Sequence, residues 1–232
     1  MAPSFIGSVS PEHPTAARTR AVVGYVPLMA RVDEWIDEGT AKCREALIDL
    51  DAPSALPGWK RRHVAAHLSL NAEALGNLVH WARTGEERPM YPSPEARAAD
   101  IEVNALRPEP DLRSWYDESS AGLTDAMASL TDDQWQATVR TAQGAPIPAT
   151  RIPWLRSREV LIHAVDLATG LTFADLPTDF LEALCEDIRT HRTDVPALQG
   201  PLPEQAAYLA GRPYSNVFTS DGHPATPLPP WL

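Results

Sequence analysis

The chain has 232 residues, a formal charge of −11 and a pI near 5.0, with 44% hydrophobic and 22% charged residues. That composition describes an ordinary globular chain, long enough for one sizeable core and a small appended unit. Its acidity excludes a general affinity for nucleic acid or an anionic membrane, because both need clustered Lys and Arg.

The elements follow in chain order. Residues 1–20, with Pro3, Pro11 and Pro14, read as an irregular, partly mobile lead-in. From Val22 an apolar stripe at helical spacing, through Trp35, Ile36, Cys43 and Leu47 to Leu50, predicts a long first helix ending before Pro53. A loop closed by Gly58 leads to a second helix, from about Trp59 to Arg83, which stops at Gly85 and carries His63, His67, Asn71 and Ala74 on one face. After a proline-containing loop at 86–95, Ser93-Pro94-Glu95 starts a short helix at 95–105, and a longer one runs from Asp111 to Leu130. Trp135 and Val139 suggest a brief extended segment, Thr141 to Gly144 is turn chemistry, Ile147 an extended edge, and Pro153 opens another helix. Four main helices result, the number a bundle needs. Beyond Gly170, Phe173 to Pro177 reads as a linker. Thr178 caps a helix of about 179–191, a further helix covers 204–211, and Asn216 to Thr219 forms a strand. The last ten residues contain four prolines, too many for a helix or a central strand.

The chemistry concentrates on Arg156-Ser-Arg-Glu-Val-Leu-Ile-His-Ala-Val-Asp166. Glu159 and His163 lie one turn apart on a common face, ~6 Å apart along the axis. With His67 from the second helix they make a three-ligand set that leaves a position open, the arrangement typical of catalytic zinc. The same spacing also occurs in ordinary surface pairs. Here, however, almost every side of the helix is apolar, so a buried Glu159 needs a neutralising partner. Arg156, Arg158, or His163 together with a cation could provide it. Two cysteines, Cys43 and Cys185, lack CxxC spacing, so neither a disulfide framework nor a cysteine-based zinc site is expected. No run of about 18 apolar residues exists and the start has no signal-type pattern, so a cytoplasmic protein without membrane or nucleic-acid partners is expected.

Taken together, these stretches resemble the mycothiol-dependent maleylpyruvate isomerase family, whose metal-binding bundle is similar to the DinB-like thiol transferases. The likeness spans roughly 22–170 and rests on four stretches. The first is Gly58-Trp59 with His63-Val-Ala-Ala-His67-Leu. The second is Asn77-Leu-Val-His-Trp-Ala-Arg-Thr-Gly-Glu86 with Pro89-Met-Tyr91 and Ser93-Pro-Glu-Ala-Arg97. The third is Thr141-Ala-Gln-Gly144. The fourth and most specific is Arg156 to Leu167. A shorter match is Tyr208-Leu-Ala-Gly-Arg212.

The resemblance implies a mainly α fold: a DinB-like four-helix bundle with a small, curtailed C-terminal α/β appendage. Residues 1–172 would form the metal-binding domain and 173–232 a small domain packed on it. It implies His67, Glu159 and His163 as ligands of zinc or another divalent metal, with His63 a competitor in a supporting role and Asn71 a possible lining residue. It further implies mycothiol as thiol cofactor, Arg212 as the catalytic cation, and maleylpyruvate, or a similar small electrophile, as substrate. The implied reaction is cis-trans isomerisation to fumarylpyruvate by thiolate addition, bond rotation and elimination. Two alternatives stay open: a mycothiol S-transferase that releases the adduct, and a non-catalytic metal-binding bundle. A monomer is expected. The chain departs from the family pattern where only Arg192 to Pro203 separates the last two helices, which puts the substrate and the position of Arg212 in question.

Overall fold

The computed structural model describes residues 31–192, 195–229 and 231. The expected lead-in at 1–20 and the start of the first helix at 22–30 lie outside them. The described elements begin with α1 (Val32–Ala46), α2 (Arg61–Thr84), α3 (Pro94–Ala105), α4 (Glu109–Ala128) and the single turn α5 (Asp132–Trp135). A hairpin of β1 (Thr138–Arg140) and β2 (Pro146–Pro148) precedes α6 (Ile152–Asp166), α7 (Thr178–His191), β3 (Leu198–Gln199), α8 (Leu202–Leu209) and β4 (Phe218–Thr219). The fold is mainly helical, as the sequence predicts, and the sheets among the described residues are two-stranded.

Helix pairing explains how the site is assembled. α2 lies along α4, α1 lies along α6, and contact between α2 and α6 joins the two pairs into the bundle. α1 buries Val32, Trp35, Ile36, Gly39, Cys43 and Ala46, one stripe of a 3.6-residue period. Gly39 is required by the approach of α6: a Cβ there would stand 2.5 Å from Val160 Cγ2 and 3.1 Å from the Leu161 backbone nitrogen. α2 ends where Gly85, at φ 77°, takes the left-handed cap conformation that favours glycine. The Ser93 hydroxyl accepts from the Ala96 amide at 3.1 Å to start α3 with Pro94 in its first turn, as the sequence indicates.

Several boundaries differ from expectation. The first helix stops at Ala46 rather than Leu50. Leu47 and Leu50 are buried from a turn in which Asp49 takes φ 46°, so apolar periodicity continued past the hydrogen-bonded helix. Trp135 is helical, not extended, because Thr131 and Gln134 cap each other's backbone amides around α5. Thr178 is the first residue of α7 rather than its cap, and that cap position is Pro177. The expected linker contains a 3-10 turn at Phe173–Asp175, closed by Thr172 and Asp175. The helix expected at 204–211 runs Leu202–Leu209.

The C-terminal sheet is short: Leu198 pairs with Thr219 and Gln199 with Phe218, antiparallel. Phe180, Leu184, Ile188 and Tyr208 share one buried cluster with Trp35, Leu75, Trp154 and Leu161, so residues after 173 pack onto the bundle. Trp35, Trp154 and Phe180 meet edge-on or tilted at this junction, with centroids 5.7–6.0 Å apart. No described helix is long and apolar enough to cross a membrane.

Candidate metal centre

His67 sits in the first half of α2, and Glu159 and His163 project from α6 toward it. The remaining faces of α6 bury Val160, Leu161, Ile162 and Ala164 in the core, which fixes the rotation of the helix and therefore the direction of its polar pair. His67 Nε2 stands 2.9 Å from Glu159 Oε2 and 3.1 Å from His163 Nε2, and the Glu159 to His163 separation is 3.4 Å. The three residues expected as ligands are thus brought together, and they form a cluster that could hold a metal ion. The Glu159 side chain is 14% exposed against 5% and 4% for the two imidazoles, so the carboxylate is the most exposed of the three.

The surroundings sort the other candidates. His63 is not part of the cluster: its Nδ1 accepts from the Lys60 amide at 3.0 Å and its Nε2 lies 3.6 Å from Glu102. Trp59 stacks on His63 and tilts over His67, with centroids 6.1 and 5.9 Å away. Asn71 is buried and accepts from Arg156 through Oδ1.

Neither arginine weighed as the neutraliser of Glu159 ion-pairs with it. Arg158 binds Asp187 at 2.9 Å, and Arg156 donates to the Leu68 carbonyl, Asn71 and Ser120. The partners of Glu159 are the two histidines. Arg212, expected as the catalytic cation, is buried with every guanidinium nitrogen engaged. Nε and Nη2 donate to Asp166 at 3.1 and 2.8 Å, and Nη1 donates to the Ala210 carbonyl. Asp166 in turn accepts from His163 Nδ1 at 2.8 Å.

Asp166 is not singled out by the sequence, although its i, i+3 relation to His163 is a usable signal. Arg97, whose Nη2 lies 3.2 Å from His67 Nδ1, and Tyr91, whose ring lies under that guanidinium, are further site residues that no sequence spacing points to.

The family model for the mycothiol maleylpyruvate isomerase N-terminal domain matches residues 34–168, which include all three clustered residues. The chain belongs to this isomerase family. A crystal structure of the mycothiol-dependent maleylpyruvate isomerase is 35% identical, with a TM-score of 0.81 over 90% of this chain and 98% of that one. The structure of a histidine-to-alanine mutant of such an isomerase is 34% identical, with the same TM-score and coverage. A search of curated proteins returns no match.

The isomerase-family donor set fits a divalent ion. Atoms bound to one tetrahedral centre at ~2.0–2.1 Å stand roughly 3.3–3.4 Å apart. The three separations here, 2.9 to 3.4 Å, are close to that edge length without any backbone rearrangement. A neutral His163 that donates Nδ1–H to Asp166 keeps its Nε2 lone pair for an ion, the usual arrangement behind a ligating histidine.

The protonation balance agrees with a tightly coupled site. Burial pushes the Glu159 carboxyl up, but hydrogen bonds from His163 and His67 outweigh it and hold it well below the usual carboxylate range. Burial pulls His67 down to about 4, with Glu159 only partly offsetting it. Burial acts the same way on His163, yet its bonds to Asp166 and Glu159 prevail and raise it to about 8. The two thiols are poor nucleophiles: burial pushes Cys43 up to about 12 and Cys185 to about 11.

Proposed function

We propose that this protein isomerises the cis double bond of maleylpyruvate to the trans bond of fumarylpyruvate with mycothiol as thiol cofactor, at a divalent-metal site made by His67, Glu159 and His163. The observation that carries the proposal is the convergence of one ligand atom from each of these residues, in a chain of the isomerase family. When bound, a zinc-like cation supplies Lewis acidity that favours thiolate over thiol near neutral pH.

The chain's own residues account for the rest. Glu159 contributes one negative charge and the histidines two neutral nitrogens, so the site stays electron-deficient toward an incoming sulfur. Asp166 fixes the tautomer and rotation of His163, and Arg212 holds Asp166 in turn. Arg212 is therefore proposed as a positioning residue that acts through Asp166. Trp59 covers His67 from one side and limits water there. The thiolate adds to the electron-poor alkene, and its lone pair becomes the C–S bond while the π electrons move onto the conjugated carbonyl as an enolate. The former double bond is now single and rotates. The enolate then re-forms the alkene in its trans arrangement and expels the thiolate, so the cofactor is regenerated and no atom is gained or lost. An external thiol is in keeping with the raised values at Cys43 and Cys185. We further propose that residues 173–232 act as a small second unit whose contribution to the site is Arg212.

The test is incubation of zinc-loaded protein with mycothiol and maleylpyruvate, following the substrate absorbance together with product identity. Catalytic formation of the trans isomer at constant thiol supports the reading. Stoichiometric consumption of mycothiol into a stable adduct replaces it with S-transfer, and no turnover removes both.

A further inference from the structure

Three guanidinium groups surround the ligand cluster, and they are not equivalent. Arg212 is neutralised by Asp166. Arg156 is fully buried on a carbonyl, an amide and a hydroxyl. Arg97 reaches the cluster from α3, is only partly buried, and makes no ion pair with a carboxylate among the described residues. Its partners are a neutral ring and an aromatic face: Nη2 is 3.2 Å from His67 Nδ1, and Cζ is 5.6 Å from the Tyr91 centroid.

We propose that Arg97 is the carboxylate-binding arm of this site, held on His67 Nδ1 while that atom carries a lone pair and released to a dicarboxylate substrate when His67 Nε2 ligates a cation. The proposal rests on reading the cluster as a metal centre that handles a dicarboxylate.

A guanidinium only donates, so its contact with His67 Nδ1 requires a lone pair there and, on a neutral ring, a proton on Nε2. A cation at Nε2 takes that nitrogen's lone pair and leaves the proton on Nδ1. Two donors would then face each other at 3.2 Å. The Arg97 contact and ligation through Nε2 therefore exclude one another, and occupancy of the metal position turns the guanidinium away.

Tyr91 limits where it can go. Its ring lies under the guanidinium, and its hydroxyl interacts with Arg97 and Asn71, so the cation stays at the half-buried edge of the cluster next to His67. From there its planar fork matches a carboxylate in two parallel hydrogen bonds. The charge balance favours the same ligand. Arg212 is matched by Asp166, whereas Arg97 has no carboxylate ion pair among the described residues, so its charge is left for an anionic ligand.

The experiment compares wild type, Arg97→Gln and Arg97→Lys. Zinc affinity is measured by chelator competition, binding of the cis dicarboxylate maleate to zinc-loaded protein by calorimetry, and turnover of maleylpyruvate by kcat and KM. Arg97→Gln is expected to weaken maleate binding by about 10- to 100-fold, the loss of a charge-assisted bidentate contact. It should raise KM more than it lowers kcat, with zinc affinity unchanged or increased. Arg97→Lys keeps the charge but not the fork and should fall between the two. If circular dichroism shows the Gln variant unfolded, the Lys variant decides on the same measurements.

The proposal is overturned if zinc-loaded wild type binds no maleate, or if both variants bind it as wild type does. A fall in zinc affinity with maleate binding intact also overturns it, making Arg97 a brace for His67. If wild type converts no maleylpyruvate yet Arg97→Gln still weakens maleate binding, the isomerase reading fails and the role of Arg97 stands. Turnover by wild type with an indifferent Arg97→Gln is the reverse result.

Discussion

The α2 and α6 helices and the segment after residue 173 contribute to the site in different ways. The helix pair supplies all three residues of the cluster that could hold a metal ion, set between faces that cannot rotate without exposing Leu68, Val160 or Leu161. Among the described residues, the later segment brings the Arg212 guanidinium to Asp166, which in turn binds His163 of the cluster. The cluster is therefore written into the bundle, while the orientation of His163 is braced from outside it through Asp166. Damage to the first region should abolish the centre, and damage to the second should retune it.

The largest effects should come from the helix pair. His67→Ala, Glu159→Ala and His163→Ala are each expected to reduce bound zinc from one equivalent to none by elemental analysis. Turnover should fall on the order of 1,000-fold or more while the circular dichroism spectrum keeps its helical shape. A variant that retained stoichiometric zinc would strike its residue from the ligand set.

Changes in the Asp166 and Arg212 pair come next. Arg212→Ala removes the guanidinium from a buried carboxylate and leaves it with His163 alone, which should destabilise the fold by about 3–5 kcal/mol in chemical denaturation. Asp166→Asn should weaken zinc binding by roughly 10- to 100-fold, because the histidine loses its charged orienting acceptor. If Arg212→Ala abolished zinc as completely as His67→Ala does, the division between the two regions would not hold.

A pH profile sharpens the contrast between the two histidines. His163 has a folded value of about 8, above the ordinary 6.5, so its contribution is fully present below 6.5 and is lost as pH rises through 8. His67 has a folded value of about 4, so its contribution is present above 6.5 and is lost as pH falls toward 4. Stability of the protein in chelator should therefore peak near pH 6.5, with Glu159 and Asp166, both held low, steepening the acid limb. Asp166→Asn should flatten the alkaline limb, as read from denaturation midpoints between pH 5 and 9. A midpoint that rose steadily to pH 9 would contradict this assignment.

The smallest effect should be His63→Ala. It removes the acceptor for the Lys60 amide at the start of α2, so a loss of about 1 kcal/mol or less is expected, with zinc stoichiometry unchanged.

Much of this was legible in the chain because helices repeat. The stripe from Val32 to Ala46 and the punctuation at Gly58, Gly85 and Pro153 located the bundle helices to within a few residues. The i, i+4 relation of Glu159 and His163 on an apolar helix singled out a chelating pair, and His67 on another helix completed it. Boundaries failed where apolar residues continued beyond the backbone hydrogen bonds, at Leu47 and Leu50, and where a local capping box outweighed the apparent extended pattern, at Trp135.

Side-chain partners were less legible. Arg156, Arg158 and Arg212 were all plausible companions for an acidic group at the site, and residue types alone could not rank them. Arg158 goes to Asp187 on α7, Arg156 to neutral acceptors on α2 and α4, and Arg212 to Asp166 across a separation of 46 residues. Arg97 lay within a stretch that carried the family likeness, yet its contact with a residue 30 positions earlier followed no periodicity.

By itself the sequence determined which residues share a helix face and which of them carry metal-binding donors, because those follow from the 3.6-residue repeat and the chemistry of each side chain. Only the tertiary structure decided which arginine neutralises which carboxylate. That choice depends on how helices cross and where loops deliver long side chains, to within an ångström, and no local rule of the chain encodes it.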